Sequence, residues 1–221
     1  MHNSYQNLLS IQSEIKKEFD GKPDKFIIPS IIAVSKAFSL EHINPLINAG
    51  HLHFGENKIQ EAEKKWINIK KINSKIILHF IGKLQTNKVK NALRLFDYIH
   101  SIDSYKLAEH VSKYSNQLKL YPKLFIQINI ANEPQKNGIK ISDIKDFVDE
   151  CKNKLLLNIV GLMCLPPISK NPEEYFFEMQ NMKNKLNLNH LSMGMTNDYL
   201  LAIKFGSTFL RIGTKIFGER A

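Results

Sequence analysis

Two short turns late in the chain, Ser192-Met193-Gly194 and Ile212-Gly213-Thr214, each place bare backbone N–H groups beside a hydroxyl. They flank one helical segment and one short strand within residues 191–218, LSMGMTNDYLLAIKFGSTFLRIGTKIFG. A phosphate dianion needs such turns: several donors, no side chain in the way, and a helix N-terminus behind them. Lys36 is a second anomaly. It follows Ile31-Ile32-Ala33-Val34-Ser35, where a solvated ammonium is out of place. An apolar wall disfavours the ammonium form, and a neutral amine can attack a carbonyl to form an imine. The alternative is a lysine that snorkels out to water. Arg211, in Phe209-Leu210-Arg211-Ile212, suits either a structural ion pair or a phosphate contact.

An imine-forming lysine early in the chain and a phosphate cup late in it form a narrow combination. The ligand that meets both is an aldehyde bearing a phosphate, pyridoxal 5′-phosphate (PLP). Other candidates are weaker. His51 and His53 stand two apart on an expected strand and so face one side. No third ligand has a clear claim, so packing is preferred to a metal. His79, before Phe80-Ile81-Gly82, suits packing or a hydrogen bond better than catalysis. Cys164 has no neighbour that would lower its pKa. With Cys151 it makes two cysteines, too few for a disulfide framework or a zinc site.

Elements must bring these residues together. Residues 3–19 read as an amphipathic helix, with Leu8, Leu9, Ile11, Ile15 and Phe19 on one face and Gly21 and Pro23 closing it. Strands are expected at 26–35, 51–55, 76–81, 97–101, 124–130, 157–163, 190–192 and 208–212. Helices are expected between them, at 40–48, 56–69, 85–94, 104–117, 142–152, 173–186 and 197–205. Gly50 is the expected stop of the second helix, Asp103 or Ser104 the cap of the fifth and Ser142 the cap of the sixth. Strict β/α alternation argues a parallel sheet, and eight units in 221 residues argue closure. The expected fold is an α/β single-domain (β/α)8 TIM barrel, residues 1–221, with an extra N-terminal helix. A doubly wound open sheet would want a glycine-rich turn after the first strand, and Ser35-Lys36-Ala37-Phe38 has none. The C-terminal strand ends of a barrel carry its chemistry. Here they hold Lys36, Glu56-Asn57, Gly82, Ser101, Asn129, Met163, Ser192 and Arg211.

Composition narrows the function classes. The net charge of +10 comes from 31 basic and 21 acidic residues, with the lysines scattered along the chain. No nucleic-acid motif accompanies the charge, so nucleic acid is not an expected partner. No apolar run approaches a membrane span, and the N-terminus lacks a basic region followed by an apolar block. The expected location is the cytoplasm.

Six blocks carry a resemblance: AVSK (33–36), FGENKIQEAEKK (54–65), HFIGKLQTNK (79–88), QINIANEPQKNGI (127–139), GLMCLPP (161–167) and LSMGM…GSTFLRIGTKIFGER (191–220). In this order they resemble the pyridoxal phosphate homeostasis protein family, a barrel similar to the N-terminal domain of alanine racemases. The resemblance implies PLP held as a Schiff base on Lys36. It implies phosphate contacts from Ser192, Gly194, Gly213 and Thr214, Arg211 at the pyridine nitrogen, and Asn57 and Met163 along the ring. It also implies a role in PLP homeostasis without established turnover, with apo PLP-dependent enzymes as candidate partners; the chain is expected to be a monomer. Ala37-Phe38-Ser39, Leu78 and Lys83 depart from the family pattern beside the site.

Two other functions compete. A racemase needs a second base on the opposite ring face, which the related racemases take from a second domain. This chain has no residues left for one. A lysine-imine aldolase needs an acid/base partner near Lys36, and none stands out.

Overall fold

The computed structural model describes residues 3–20, 27–167 and 171–219. Its strands are β1 (Ser30–Val34), β2 (His53–Glu56), β3 (Ile77–Phe80), β4 (Tyr98–Ile102), β5 (Lys123–Ile128), β6 (Ile159–Cys164), β7 (His190–Ser192) and β8 (Phe209–Ile212). They pair in sequence order, every pair parallel, and close into a barrel. Closure runs from Ser30↔Phe209 to Ala33↔Ile212, which excludes the open sheet.

The helices are α1 (Ser4–Phe19), α2 (Leu40–Asn48), α3 (Ile59–Ile72), α4 (Val89–Leu95), α5 (Tyr105–Leu118), α6 (Ile144–Asp149), α7 (Glu173–Lys185), α8 (Tyr199–Lys204) and α9 (Thr214–Phe217). The expected closure of α1 by Gly21 and Pro23 lies outside the described residues. Gly50, with φ 82°, follows α2 as expected. Ser104 caps α5, accepting from the Leu107 N–H at 3.4 Å. Ser142 does not cap α6. It sits inside a 3-10 turn, Ile141–Asp143, and its hydroxyl donates to the Asp143 carboxylate. The third helix begins at Ile59, not Glu56, because Glu56 ends β2 with its carboxylate drawn into the protein.

Side-chain alternation sorts the strands into two cores. Ile31 and Ala33 of β1 and Leu210 and Ile212 of β8 join the large core between barrel and helices. Ile32, Tyr98, Phe125, Met163 and Phe209 fill the barrel itself. In β1 this puts Ile32, Val34 and then Lys36 on the inward parity; in β8 it does the same for Phe209, Arg211 and then Gly213.

Helix α1 packs against α2, α8 and α9 through buried Leu8, Ile11 and Ile15. Each contributes about 1.5–3 kcal/mol by leaving water. Polar contacts fix the contact angle: the Asn7 amide donates to the Ile216 carbonyl at 2.9 Å, and the Lys215 ammonium meets Glu14 at 2.8 Å. The extra helix therefore braces the two short helices that follow the expected phosphate turns.

Candidate functional site

A cavity of about 480 Å³ opens at the C-terminal end of the strands. Lys36, Val34 and Phe38 line it from the first strand and its loop, and Ile81 from the third. Leu165, Pro166, Pro167 and Pro172 line it after β6, Met195 to Asp198 after β7, and Arg211, Gly213, Thr214 and Gly218 from β8 onward. Ala37 turns the chain here, with φ 66°, so the backbone reverses directly after Lys36.

The structure thus brings Lys36, Arg211, Gly213 and Thr214 to one cavity. Asn57, Met163, Ser192 and Gly194 are not in its lining. Asn57 packs against Gly82, where an added Cβ would lie 2.2 Å from the Asn57 carbonyl oxygen. Met163 is buried in the barrel interior. Ser192 is fully buried, between Arg211 and His100. Gly194, with φ +91°, is crowded by Ala202, whose Cβ would stand 2.7 Å from a new Cβ. Its missing side chain serves packing. Gly213 differs: a Cβ there would meet nothing closer than Val34 at 3.5 Å. Its bare backbone faces the space that the cavity occupies.

Behind β7 the lining comes instead from Met195, Thr196, Asn197 and Asp198, which the sequence reading passed over. The Thr196 hydroxyl was the available signal. It accepts from the Lys215 N–H at 3.4 Å, so the two turns touch through it. The Asp198 carboxylate accepts from the Met195 N–H at 2.5 Å and closes the first turn on itself. Thr214 opens α9, where the Thr196 hydroxyl takes the Lys215 N–H and the Gly213 carbonyl takes the Ile216 and Phe217 N–H groups, both at 2.9 Å.

Arg211 is 5% exposed. Its Nη1 donates to the Ser192 hydroxyl at 2.6 Å and its Nη2 to the Cys164 carbonyl at 2.8 Å. Burial presses its pKa down from the usual guanidinium range, but no base strong enough to deprotonate it is at hand. The Cys164 thiol is pushed up to about 12 by burial, so it is no nucleophile. His51 donates to the His53 carbonyl, whereas the His53 ring meets the His79 ring, so the two expected same-side histidines take separate partners.

Comparison with known proteins places this architecture. The alanine racemase N-terminal domain family matches residues 24–221. The pyridoxal phosphate homeostasis protein of Aquifex aeolicus (strain VF5) is 32% identical over 227 residues, covering 99% of both chains. This chain belongs to the pyridoxal phosphate homeostasis protein family. The Pasteurella multocida (strain Pm70) member is 34% identical, over 97% of each chain. Another relative, PipY of Synechococcus elongatus PCC7942, has been solved with PLP bound. It is 32% identical and superposes with a TM-score of 0.81 over 97% of this chain and 100% of its own. The alanine racemase of Clostridium difficile 630 shares the fold at 12% identity, with 57% of its length covered.

Proposed function

We propose that this chain binds PLP in the cavity at the barrel mouth and holds it, on Lys36, without turning over a substrate. The carrying observation is the convergence of Lys36, Arg211 and the bare Gly213-Thr214 turn on one cavity. The volume suits a small cofactor. The donor set suits its two ends, an amine for an aldehyde and backbone N–H groups with threonine hydroxyls for a phosphate. PipY, solved with PLP bound, supports the same reading.

When bound, the cofactor supplies an electrophilic aldehyde and an electron-withdrawing ring. The chain's own residues determine how much of that is used. Lys36 provides the nucleophilic amine. The turns around Thr196 and Thr214 hold the anion. Arg211 can only donate, so it cannot keep a proton on a ring nitrogen as a carboxylate would. Among the described lining residues the other titratable group is Asp198, whose carboxylate is engaged by the Met195 N–H. A weak electron sink and no second base disfavour racemisation, transamination and decarboxylation together. The role that remains is carriage: a cytoplasmic monomer that buffers PLP and passes it to apo PLP-dependent enzymes.

The test is direct. The protein mixed with PLP turns yellow, and borohydride reduction fixes the adduct on the peptide containing Lys36; Lys36→Ala loses the band. An adduct confined to another lysine refutes the assignment. Stereospecific racemisation at ordinary enzyme rates, about 1–10³ s⁻¹, refutes the carrier role.

A further inference from the structure

Behind Arg211 a row of polar side chains crosses the barrel interior. Ser192 Oγ lies 2.9 Å from His100 Nδ1. His100 Nε2 lies 2.9 Å from His79 Nδ1, and His79 Nε2 lies 2.9 Å from His53 Nδ1. His79 and His100 are fully buried, whereas His53, the first residue of β2, is partly exposed at the opposite end of the barrel. Register builds the staircase. His53 pairs with Ile77, two residues below His79, and His79 pairs with Tyr98, two residues below His100. Aromatic faces fix the ring planes: His79 stacks on Tyr98 at 4.5 Å and His100 on Phe125 at 4.3 Å.

The direction of this row follows from its two ends. Arg211 can only donate, so Ser192 Oγ accepts at that end. The single Ser192 proton then needs an acceptor, and among the described residues His100 Nδ1 is the one in reach. Were Nδ1 protonated, a buried hydroxyl proton would be stranded without an acceptor. His100 therefore carries its proton on Nε2 and donates to His79 Nδ1; His79 repeats the pattern toward His53. An imidazolium anywhere in the row would set two donors face to face. Burial independently favours the neutral rings, and the charges nearby are Arg211 beside His100, and Asp97, Lys123 and His51 around His53.

We propose that His100, His79 and His53 form a one-way hydrogen-bond chain that positions Arg211, each ring carrying its proton on Nε2. The chain fixes Ser192 as an acceptor, and Ser192 with the Cys164 carbonyl then pins the guanidinium at the cavity floor. A cation at one end polarises successive bonds in the same sense. These histidines are positioning residues: they act on the cavity through Arg211 and none of them lines it. The orientation of the chain stands on its own; its effect on a bound cofactor rests on the PLP reading above.

Nitrogen-15 spectra of histidine-labelled protein decide the orientation. His53, His79 and His100 are expected as neutral Nε2–H tautomers across about pH 6 to 8, with or without added PLP. His79 or His100 found as the Nδ1–H tautomer or as imidazolium overturns the chain. His79→Phe keeps the stack on Tyr98 but cuts the row two bonds from Arg211. In the folded variant an Nδ1–H population should appear at His100, and the absorption band of bound PLP should shift. His79→Gln, which can both accept and donate, should restore the band. A folded His79→Phe protein with the unmodified tautomer at His100 and an unmoved band overturns the positioning role. If the unmodified protein takes up no PLP, the cofactor reading fails while the tautomers still decide the chain. Should His79→Phe not fold, the spectra of the unmodified protein decide it alone.

Discussion

The Lys65 ammonium meets the buried Glu56 carboxylate at 2.8 Å. The same Glu56 oxygen takes the Ser35 hydroxyl at 2.8 Å and the Trp66 indole N–H at 3.0 Å, and Lys65 also donates to the Ser35 carbonyl at 2.8 Å. The residue before Lys36 is thus fastened to β2 and α3 at once.

Removing one partner of a buried pair strands the other. Lys65→Ala should cost about 3–5 kcal/mol of unfolding free energy. Lys58, which meets Glu61 at 2.7 Å on the exposed face of the same helix start, should cost under about 1 kcal/mol when changed to Ala. Urea unfolding of the two variants checks the contrast, and equal losses would count against the buried cluster.

The two turn glycines should fail differently. Gly194→Ala forces a Cβ onto a left-handed backbone against Ala202 and should lower stability by about 1–3 kcal/mol. Gly213→Ala should fold nearly as well as the parent, since ordinary contact with Val34 is all a Cβ meets, yet weaken PLP binding by intruding on the cup. Paired melting and titration measurements separate the effects. A Gly213→Ala protein with unchanged affinity would remove the turn from the phosphate site.

Phosphate recognition predicts vitamer selectivity. Pyridoxal lacks the dianion and should bind at least about tenfold more weakly than PLP, equal to about 1.4 kcal/mol. Equilibrium dialysis of both vitamers measures it. Equal affinities would leave the two turns without a ligand.

Stability should fall in mild acid. Unfolded histidines titrate near 6.5. Burial holds folded His51 down to about 4 and keeps His79 and His100 well below their ordinary value. The unfolded chain therefore binds more protons below about pH 6.5, so this stability is complete above that pH and is lost as pH drops. Each such ring steepens the loss by up to about 1.4 kcal/mol per pH unit. Denaturant midpoints should decline from about pH 7 to about pH 5, and a flat or rising profile would contradict neutral buried rings.

Much of the architecture was legible from local chemistry. Each strand is a short apolar run between polar turns, and period-two alternation sets the inward face of a strand without reference to its neighbours. That is why Lys36 could be placed at the end of the apolar first strand, and Arg211 at the end of the last, just before its glycine turn. The Gly213-Thr214 turn was equally readable, because it needs only its own residues and the helix behind it.

Helix starts were less legible, since Glu56 favours a helix N-terminus by charge but is held in β2 by Ser35, Lys65 and Trp66, partners up to 21 residues away. The first expected phosphate turn shows the same limit. Ser192 and Gly194 have the right chemistry, but parity aims Ser192 down into the barrel and Ala202 crowds Gly194 from behind, so Thr196 reaches the cavity in their place.

The histidine row marks the division most clearly. Sequence alone puts His53, His79 and His100 on three successive expected strands, 51–55, 76–81 and 97–101. Their height along the barrel axis depends on how far each strand slides past the next, which is set by closure of all eight strands at once. Only that shared register brings the ring nitrogens of three imidazoles to 2.9 Å from one another in a row behind Arg211, because no local segment contains the information that aligns one strand with another.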